Sequence, residues 1–211
     1  MPNRDKRSQL KERRSQEERS KSMRDKIVAA TIAVVTESGF ANATTTVVAE
    51  RAGVSRGAIQ HHFSSKDDLM AAVVYEITEQ VDSHDGFARQ AGKSLEERVN
   101  YVIDSFWMIY GSEIFISALE IELTARYDDA LRTRLTERFR RVGAMRDLEW
   151  VHFFSDSPLS PHESVSLRRI MLDALRGLGL RKLISGPQSI ENEFILLKKL
   201  LVASLTRNLK L

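Results

Sequence analysis

The stretch Thr44–Phe63 reads TTTVVAERAGVSRGAIQHHF and predicts two short helices that meet at a sharp angle. Ala49 is small enough for the two helix backbones to approach, and Gly53 can adopt the positive φ that the turn requires. Ile59 has the spacing that buries an aliphatic side chain between the helices, and Ser55 is a good N-cap for the second helix. An ordinary helical hairpin would use the same residues. The spacing is also that of a helix-turn-helix, whose second helix enters the major groove of DNA.

The charge distribution favours the DNA-binding alternative. Residues 1–66 carry 13 Lys and Arg against 7 Asp and Glu, whereas residues 67–211 carry 19 against 22. A basic N-terminal third indicates a polyanionic partner at that end of the chain. Residues 1–21 have many charges and no apolar face, which favours a disordered basic arm in the free protein. The alternative is an exposed extension of the first helix, because residues 3–38 contain neither Pro nor Gly.

Helical spacing of apolar residues continues to the C-terminus, and no alternating strand pattern of useful length occurs. The sequence therefore predicts an all-α fold of about nine helices. An N-terminal bundle of three to four helices would contain the helix-turn-helix. Capping signals mark the starts of five helices outside the motif: Ser22, Ser65, Ser94, Asp128 and Ser160. A last helix is predicted to start at Ser189.

Several functional classes find no support in the sequence. There is no Cys, no N-terminal apolar stretch of the signal-peptide type and no apolar run long enough for a membrane span. We therefore expect a soluble, cytoplasmic protein that does not associate with a membrane. Neither G-x-S-x-G nor a Gly-rich phosphate loop occurs, so neither an enzyme nor a bound cofactor is expected. His61 and His62 are adjacent on a helix and do not share a face, so no metal site is expected either.

A family resemblance rests on the run from Arg24 to Leu69, and above all on ERAGVSRGA and HHFSSKDDL. This run resembles the N-terminal domain of TetR-family repressors. The resemblance implies a homodimer that binds palindromic double-stranded operator DNA, with a small-molecule effector site in a divergent C-terminal domain. It divides the chain into a basic arm (1–21), a DNA-binding domain (22–68) and an effector-binding and dimerisation domain (69–211).

The resemblance also implies the residues that contact DNA. Arg56 would read guanine, Gly57 would allow close backbone approach, and Ala58 would contact a thymine methyl group. Where the family often has Tyr this chain has Gln60, which replaces a phosphate contact with a side chain able to read adenine. The full expected set is Thr44, Thr45, Ser55, Arg56, Gly57, Ala58, Gln60, His61 and Lys66.

In the C-terminal half, core packing alone explains any single aromatic residue. The resemblance makes the middle helices the walls of an effector pocket for a small apolar or aromatic ligand, with room for one charged group. The predicted lining is Phe106, Trp107, Tyr110, Phe115, Glu122, Arg126, Phe139, Met145 and Trp150. The last two helices carry more apolar residues than one protomer is expected to cover, and in the family they pair across a two-fold axis. The predicted interface is Leu172, Leu175, Phe194, Leu197, Leu201 and Leu205.

The resulting hypothesis is a dimeric transcriptional repressor that its effector releases from the operator. Dimerisation suits DNA reading, because two recognition helices ~34–36 Å apart reach adjacent major grooves. The effector would shift the helix predicted over residues 65–83, which connects the pocket to the DNA-binding motif. Two alternatives are a DNA-binding protein that needs no ligand and a regulator that acts through a protein partner.

Overall fold

Nine α-helices form the part of the chain that the computed structural model describes, which is residues 3–79, 87, 89–90 and 92–206, with backbone only for 3–15 and 79. No strand occurs in these residues, and the all-α prediction is confirmed. The helices are α1 Asn3–Ser38, α2 Thr45–Ala52, α3 Arg56–His62, α4 Lys66–Glu79, α5 Leu95–Tyr110, α6 Glu113–Thr124, α7 Asp129–Phe153, α8 Pro161–Ser185 and α9 Glu191–Thr206.

Most helix starts lie where the capping signals predict them. Ser94 and Ser160 each form a complete capping box with a glutamate three residues on. Asp128 accepts a hydrogen bond from the Leu131 amide at 3.0 Å. The prediction for the last helix was early, because Ser189 lies in a 3₁₀ turn that precedes α9. These caps act within one turn of the chain, which is why the sequence reveals them.

The start of α1 is a correction to the sequence analysis. The helix is continuous from Asn3 to Ser38, so Ser22 is an interior residue and not an N-cap. The described part of the arm extends this helix, which was the alternative to the expected disorder. No Pro or Gly interrupts the segment, so nothing in the chain ends the helix before Gly39.

Helices α1–α4 close around a first hydrophobic core. Its fully buried residues include Ile27 of α1, Val48 of α2 and Leu69 of α4. The core continues along α4 as far as Ile77, so the predicted domain boundary at residues 68/69 lies inside a helix. It is completed from the C-terminal half: Ala118 and Ile121 of α6, Ala125, and Leu131 and Leu135 of α7.

A second core holds the C-terminal half together. It joins α5, the first turn of α6, the end of α7, α8 and α9, through Phe106, Phe115, Trp150, Met171 and Leu205 among others. Trp150 donates a hydrogen bond from Nε1 to Ser164 Oγ at 3.0 Å, which satisfies the one polar atom of its buried side chain.

Helix α6 belongs to both cores. Phe115 packs into the second core, whereas Ala118 and Ile121 pack into the first. Two polar contacts tie the same helix to the end of α1. The hydroxyl groups of Thr36 and Ser117 are 2.8 Å apart, and Glu120 Oε2 accepts a hydrogen bond from the Phe40 amide at 2.9 Å. A displacement of α6 would therefore change the packing of both cores.

No single helix in the described ranges is long and apolar enough to cross a membrane. Two consecutive helices, Leu95–Tyr110 and Glu113–Thr124, are together long and apolar enough, but a bend of 69° separates them.

Gly179 sets how closely α8 approaches α5. A Cβ atom there would overlap the main-chain carbonyl oxygen of Tyr110, and a main-chain atom cannot move aside as a flexible side chain can. We expect Gly179→Ala to lower the free energy of unfolding by about 2 kcal/mol or more. Gly143→Ala is the control, since nothing lies within 4 Å of its Cβ, and it should raise stability by about 0.5–1 kcal/mol. Urea unfolding measures both, and an equal effect of the two substitutions would contradict the close approach.

Candidate DNA-binding and effector sites

The turn between α2 and α3 has the geometry that the sequence predicts. Gly53 is left-handed at φ 60°, and its amide bonds to the Glu50 carbonyl at 3.1 Å. Ala49 and Ile59 are buried where the two helices cross. Each helix is capped by its own hydroxyl residue: Thr44 Oγ1 accepts from the Val47 amide, and Ser55 Oγ accepts from the Ala58 amide at 3.1 Å.

The N-terminal end of α3 is open to solvent. Arg56 and Gly57 in the first turn are exposed, and Ala58 is half-buried. One turn further on, Gln60 and His61 are exposed as well. The structure thus brings together the side chains that were expected to face bases and the groove edge. No carboxylate residue lies between Ser55 and His62, so the face has no acidic side chain of its own.

The expected phosphate-contacting residues flank this face. Thr44 is exposed and Thr45 half-buried at the start of α2, where free main-chain amides favour an anion. Lys66 begins α4 and is half-buried, with its ammonium group 4.7 Å from the centre of the Phe40 ring. A cation–π contact of this kind fixes the lysine without neutralising it.

The C-terminal end of α3 is fixed to α1 by Arg24. Its Nη1 donates to the His62 carbonyl at 3.1 Å, and the guanidinium lies 4.3 Å from the centre of the Phe63 ring. One arginine thus anchors the recognition helix by a hydrogen bond and a stacking contact. Sequence reasoning missed this role, because the two residues joined by the hydrogen bond are 38 positions apart.

Six of the nine predicted pocket residues lie in or against the second core. Phe106, Tyr110, Phe115 and Trp150 are buried, Trp107 packs on Phe194 at a ring distance of 4.8 Å, and Glu122 is mostly buried. The other three do not join them. Arg126, in the turn after α6, is exposed, and Phe139 and Met145 are exposed because their positions on α7 direct them away from both cores.

Glu122 is the one mostly buried carboxylate among these predicted residues. Its Oε2 lies 3.9 Å from Nη1 of Arg176 on α8, which is a loose ion pair, and its buried Oε1 has no hydrogen-bond partner among the described residues. Burial raises the pKa of Glu122, and the charge of Arg176 only partly opposes this. The Arg176 guanidinium lies 5.9 Å from the centre of the Tyr110 ring. Helices α5, α6 and α8 therefore meet at one polar point, which consists of Tyr110, Glu122 and Arg176.

Half of the predicted interface residues belong to the interior of the protomer, which corrects that prediction. Leu175, Leu201 and Leu205 are buried in the second core and have no surface left to offer a partner. Leu172, Leu197 and Phe194 are half-buried against the same core. The exposed apolar residues of α8 and α9 are different ones: Ile170, Leu180, Leu183, Ile184, Ile195, Leu196 and Leu200.

Comparison with known proteins agrees with the geometry of the motif. Residues 27–73 match the sequence pattern of the family described as bacterial regulatory proteins, tetR family. The HTH-type transcriptional regulator CymR of Pseudomonas putida is 27% identical over 171 residues, which is 81% of this chain and 84% of CymR. Residues 27–73 therefore form a DNA-binding domain of the TetR family. The chain is accordingly a DNA-binding transcriptional regulator and not an enzyme.

Solved structures agree on the fold of this TetR-family chain. A transcriptional regulator from Rhodococcus sp. Rha1 superposes with a TM-score of 0.66 at 20% identity, over 88% of this chain and 96% of that one. The multidrug binding protein EbrR, solved in complex with imidazole, superposes with a TM-score of 0.55 at 24% identity, over 86% of this chain and 94% of EbrR.

The raised pKa of Glu122 generates a prediction about stability and pH. An acid whose pKa is raised by folding holds its proton more tightly in the folded state, so wild-type stability falls as pH rises from about 4.5, the ordinary glutamate value. Glu122→Gln cannot lose a proton. We therefore expect it to be more stable than wild type at neutral pH, with a gain that disappears as the pH falls below about 4.5.

Urea unfolding at a series of pH values measures this gain. The control is Glu113→Gln, which neutralises an exposed glutamate of the same helix and should give no gain at any pH. A gain for Glu122→Gln that is independent of pH would contradict the assignment of the effect to the buried carboxylate.

Proposed function

We propose that this TetR-family regulator is a homodimeric repressor that leaves a palindromic operator when a small apolar or aromatic effector binds in its C-terminal half. The observation that carries the proposal is the position of α6. One face of this helix packs in the first core, which supports the DNA-reading helix, and the other packs in the second core. We further propose that the protein works in the cytoplasm, where it meets its operator.

Operator reading is assigned to the open end of α3. The guanidinium of Arg56 can form two hydrogen bonds to guanine O6 and N7, and Gln60 can do the same to adenine. Gly57 keeps the helix close to the groove floor, and Ala58 offers a methyl group to thymine. Phosphate contacts are assigned to the flanking residues Thr44, Thr45, Ser55, His61 and Lys66.

Dimerisation is assigned to the exposed apolar faces of α8 and α9. Leu196 and Leu200 of α9 line a groove of about 410 Å³ together with Leu178 and Gly177 of α8. A groove of this kind, with further exposed aliphatic side chains on both helices, suits helix packing against the same face of a second copy. The half-buried Leu172, Phe194 and Leu197 stay in the proposed interface as its border.

The effector site is assigned to the polar point where α5, α6 and α8 meet. Tyr110 and the buried aromatic residues beside it supply an apolar surface. Glu122 Oε1, which has no hydrogen-bond partner among the described residues, offers an acceptor, and Arg176 offers a donor. A ligand with one polar or charged group could satisfy these atoms, and the gain from doing so is large inside a core.

The signal would pass from this site to the DNA through α6. Glu122 is on the same helix as Ser117 and Glu120, and these two residues contact Thr36 and the Phe40 amide at the end of α1. A shift of α6 would act on α1, and through Arg24 on the C-terminal end of α3. Helix α4 packs against α6 and α7 and would move with them, in keeping with the role predicted for the 65–83 helix, whose last residues lie outside the described ranges.

The operator-binding assay tests the DNA-reading assignment. We expect Arg56→Ala to weaken operator binding by about 1–3 kcal/mol and to relax the preference at one base pair of each half-site. The thermal midpoint should not change, since the side chain is exposed. Arg132→Ala is the matched control, because it removes an exposed arginine from α7. Equal losses of operator affinity in the two variants would mean that only the net charge of the protein affects DNA binding, and would contradict the assignment.

The regulatory half of the proposal is tested with small aromatic acids and amines. Compounds that bind wild type in calorimetry should weaken operator binding, and Glu122→Gln or Arg176→Gln should alter their affinity. Operator affinity that is the same for the free and the compound-bound protein would overturn the repressor switch and favour a ligand-independent DNA-binding protein.

A further inference from the structure

A basic cleft lies between the DNA-binding helices and α7, away from the α5–α6–α8 site. Its volume is about 700 Å³, within the size range of small-molecule sites. One wall consists of Arg24 of α1, His62 and Phe63 at the end of α3, and the first turns of α4. The other wall is a single stretch of α7, residues 134–141. The cleft is therefore built by both halves of the chain.

Five arginines line this cleft against two carboxylates. The arginines are Arg24, Arg134, Arg138, Arg140 and Arg141, and the carboxylates belong to Asp68 and Glu137. Asp68 forms an ion pair with Arg134 and accepts a hydrogen bond from the Ser64 hydroxyl. Arginines therefore outnumber carboxylates in the lining of the cleft, and the side chains of Arg140 and Arg141 are exposed.

Arginines inside the cleft are fixed by neighbouring groups, whereas those at its rim are exposed. Arg24 is fixed by the His62 carbonyl and the Phe63 ring, and Arg138 stacks on Tyr75 of α4 at 3.7 Å from the ring centre. These contacts orient the two guanidinium groups. Arg140 and Arg141 are exposed at the rim of the cleft. An anion would thus meet preorganised guanidinium groups inside and two adaptable ones at the entrance.

The chemistry of this arrangement points to phosphate. Guanidinium groups bind phosphate oxygens through paired, charge-assisted hydrogen bonds, and several arginines on opposite walls suit more than one phosphate group. We propose that the cleft binds a small anion with two or more phosphate groups. Bound there, the anion joins α1 and the end of the recognition helix to α7, and so stiffens the junction between the DNA-binding helices and the rest of the chain.

The test uses inorganic pyrophosphate at physiological ionic strength, with chloride at matched ionic strength as the reference. Wild type should bind pyrophosphate saturably in calorimetry and gain thermal stability as it does so. The double substitution Arg140→Gln with Arg141→Gln should weaken this binding by about tenfold or more, since each side chain loses a charge-assisted contact. Both residues are exposed, so the variant is expected to fold.

The matched control is Arg126→Gln with Arg132→Gln, which removes two exposed arginines that do not line the cleft. It should bind pyrophosphate as wild type does. Absence of saturable binding to wild type, or equal weakening in both double variants, would overturn the proposal.

A second arm distinguishes free polyphosphate from the DNA backbone as the source of the phosphate. Operator affinity and its salt dependence are measured for both double variants without pyrophosphate. The proposal expects the cleft variant to match the control. A selective loss of operator affinity in the cleft variant, with pyrophosphate binding unchanged, would assign the cleft to DNA and overturn the small-anion site.

Discussion

Burial of both faces of α6 is the constraint on which the rest of the structure depends. Ala118 and Ile121 can leave water only if α1 and α4 are in place, and Phe115 only if α5 and α8 are. Neither core is complete without this helix, so the DNA-binding half and the C-terminal half stabilise each other. The polar contacts of Ser117 and Glu120 then fix the register of α6 against α1.

Under the proposed function, this constraint accounts for regulation of the short helix α3 from a distant site. Seven residues of α3 cannot hold their own orientation, so the helix depends on Ile59 inside and on Arg24 at its C-terminal end. Its N-terminal end stays free for DNA. The same α1 that carries Arg24 ends against Ser117 and Glu120 of α6, the helix that also carries Glu122. The proposed DNA-reading site and the proposed effector site are therefore separated in space, and both depend on the contact between α1 and α6.

The sequence predicted the local features well, because their causes are local. Gly53, Ser55 and the capping boxes act within one turn, so α2, α3 and most later helix starts were found at the correct residue. The long start of α1 was missed because Ser22 has the form of an N-cap. Which way a leucine faces depends on elements far away in sequence, and Leu175 and Leu205 were assigned to an interface although they are buried within the protomer. The Arg24 and Arg176 contacts have no local pattern at all.

The mutual dependence of the two cores can be measured by unfolding. The two tryptophans of the chain, Trp107 and Trp150, both report on the second core, and hydrogen exchange of the α2 amides reports on the first. In a urea series on the unliganded protein, the account predicts that α2 loses protection at the same urea concentration at which tryptophan emission changes. Loss of protection in α2 while the emission is still native would contradict it.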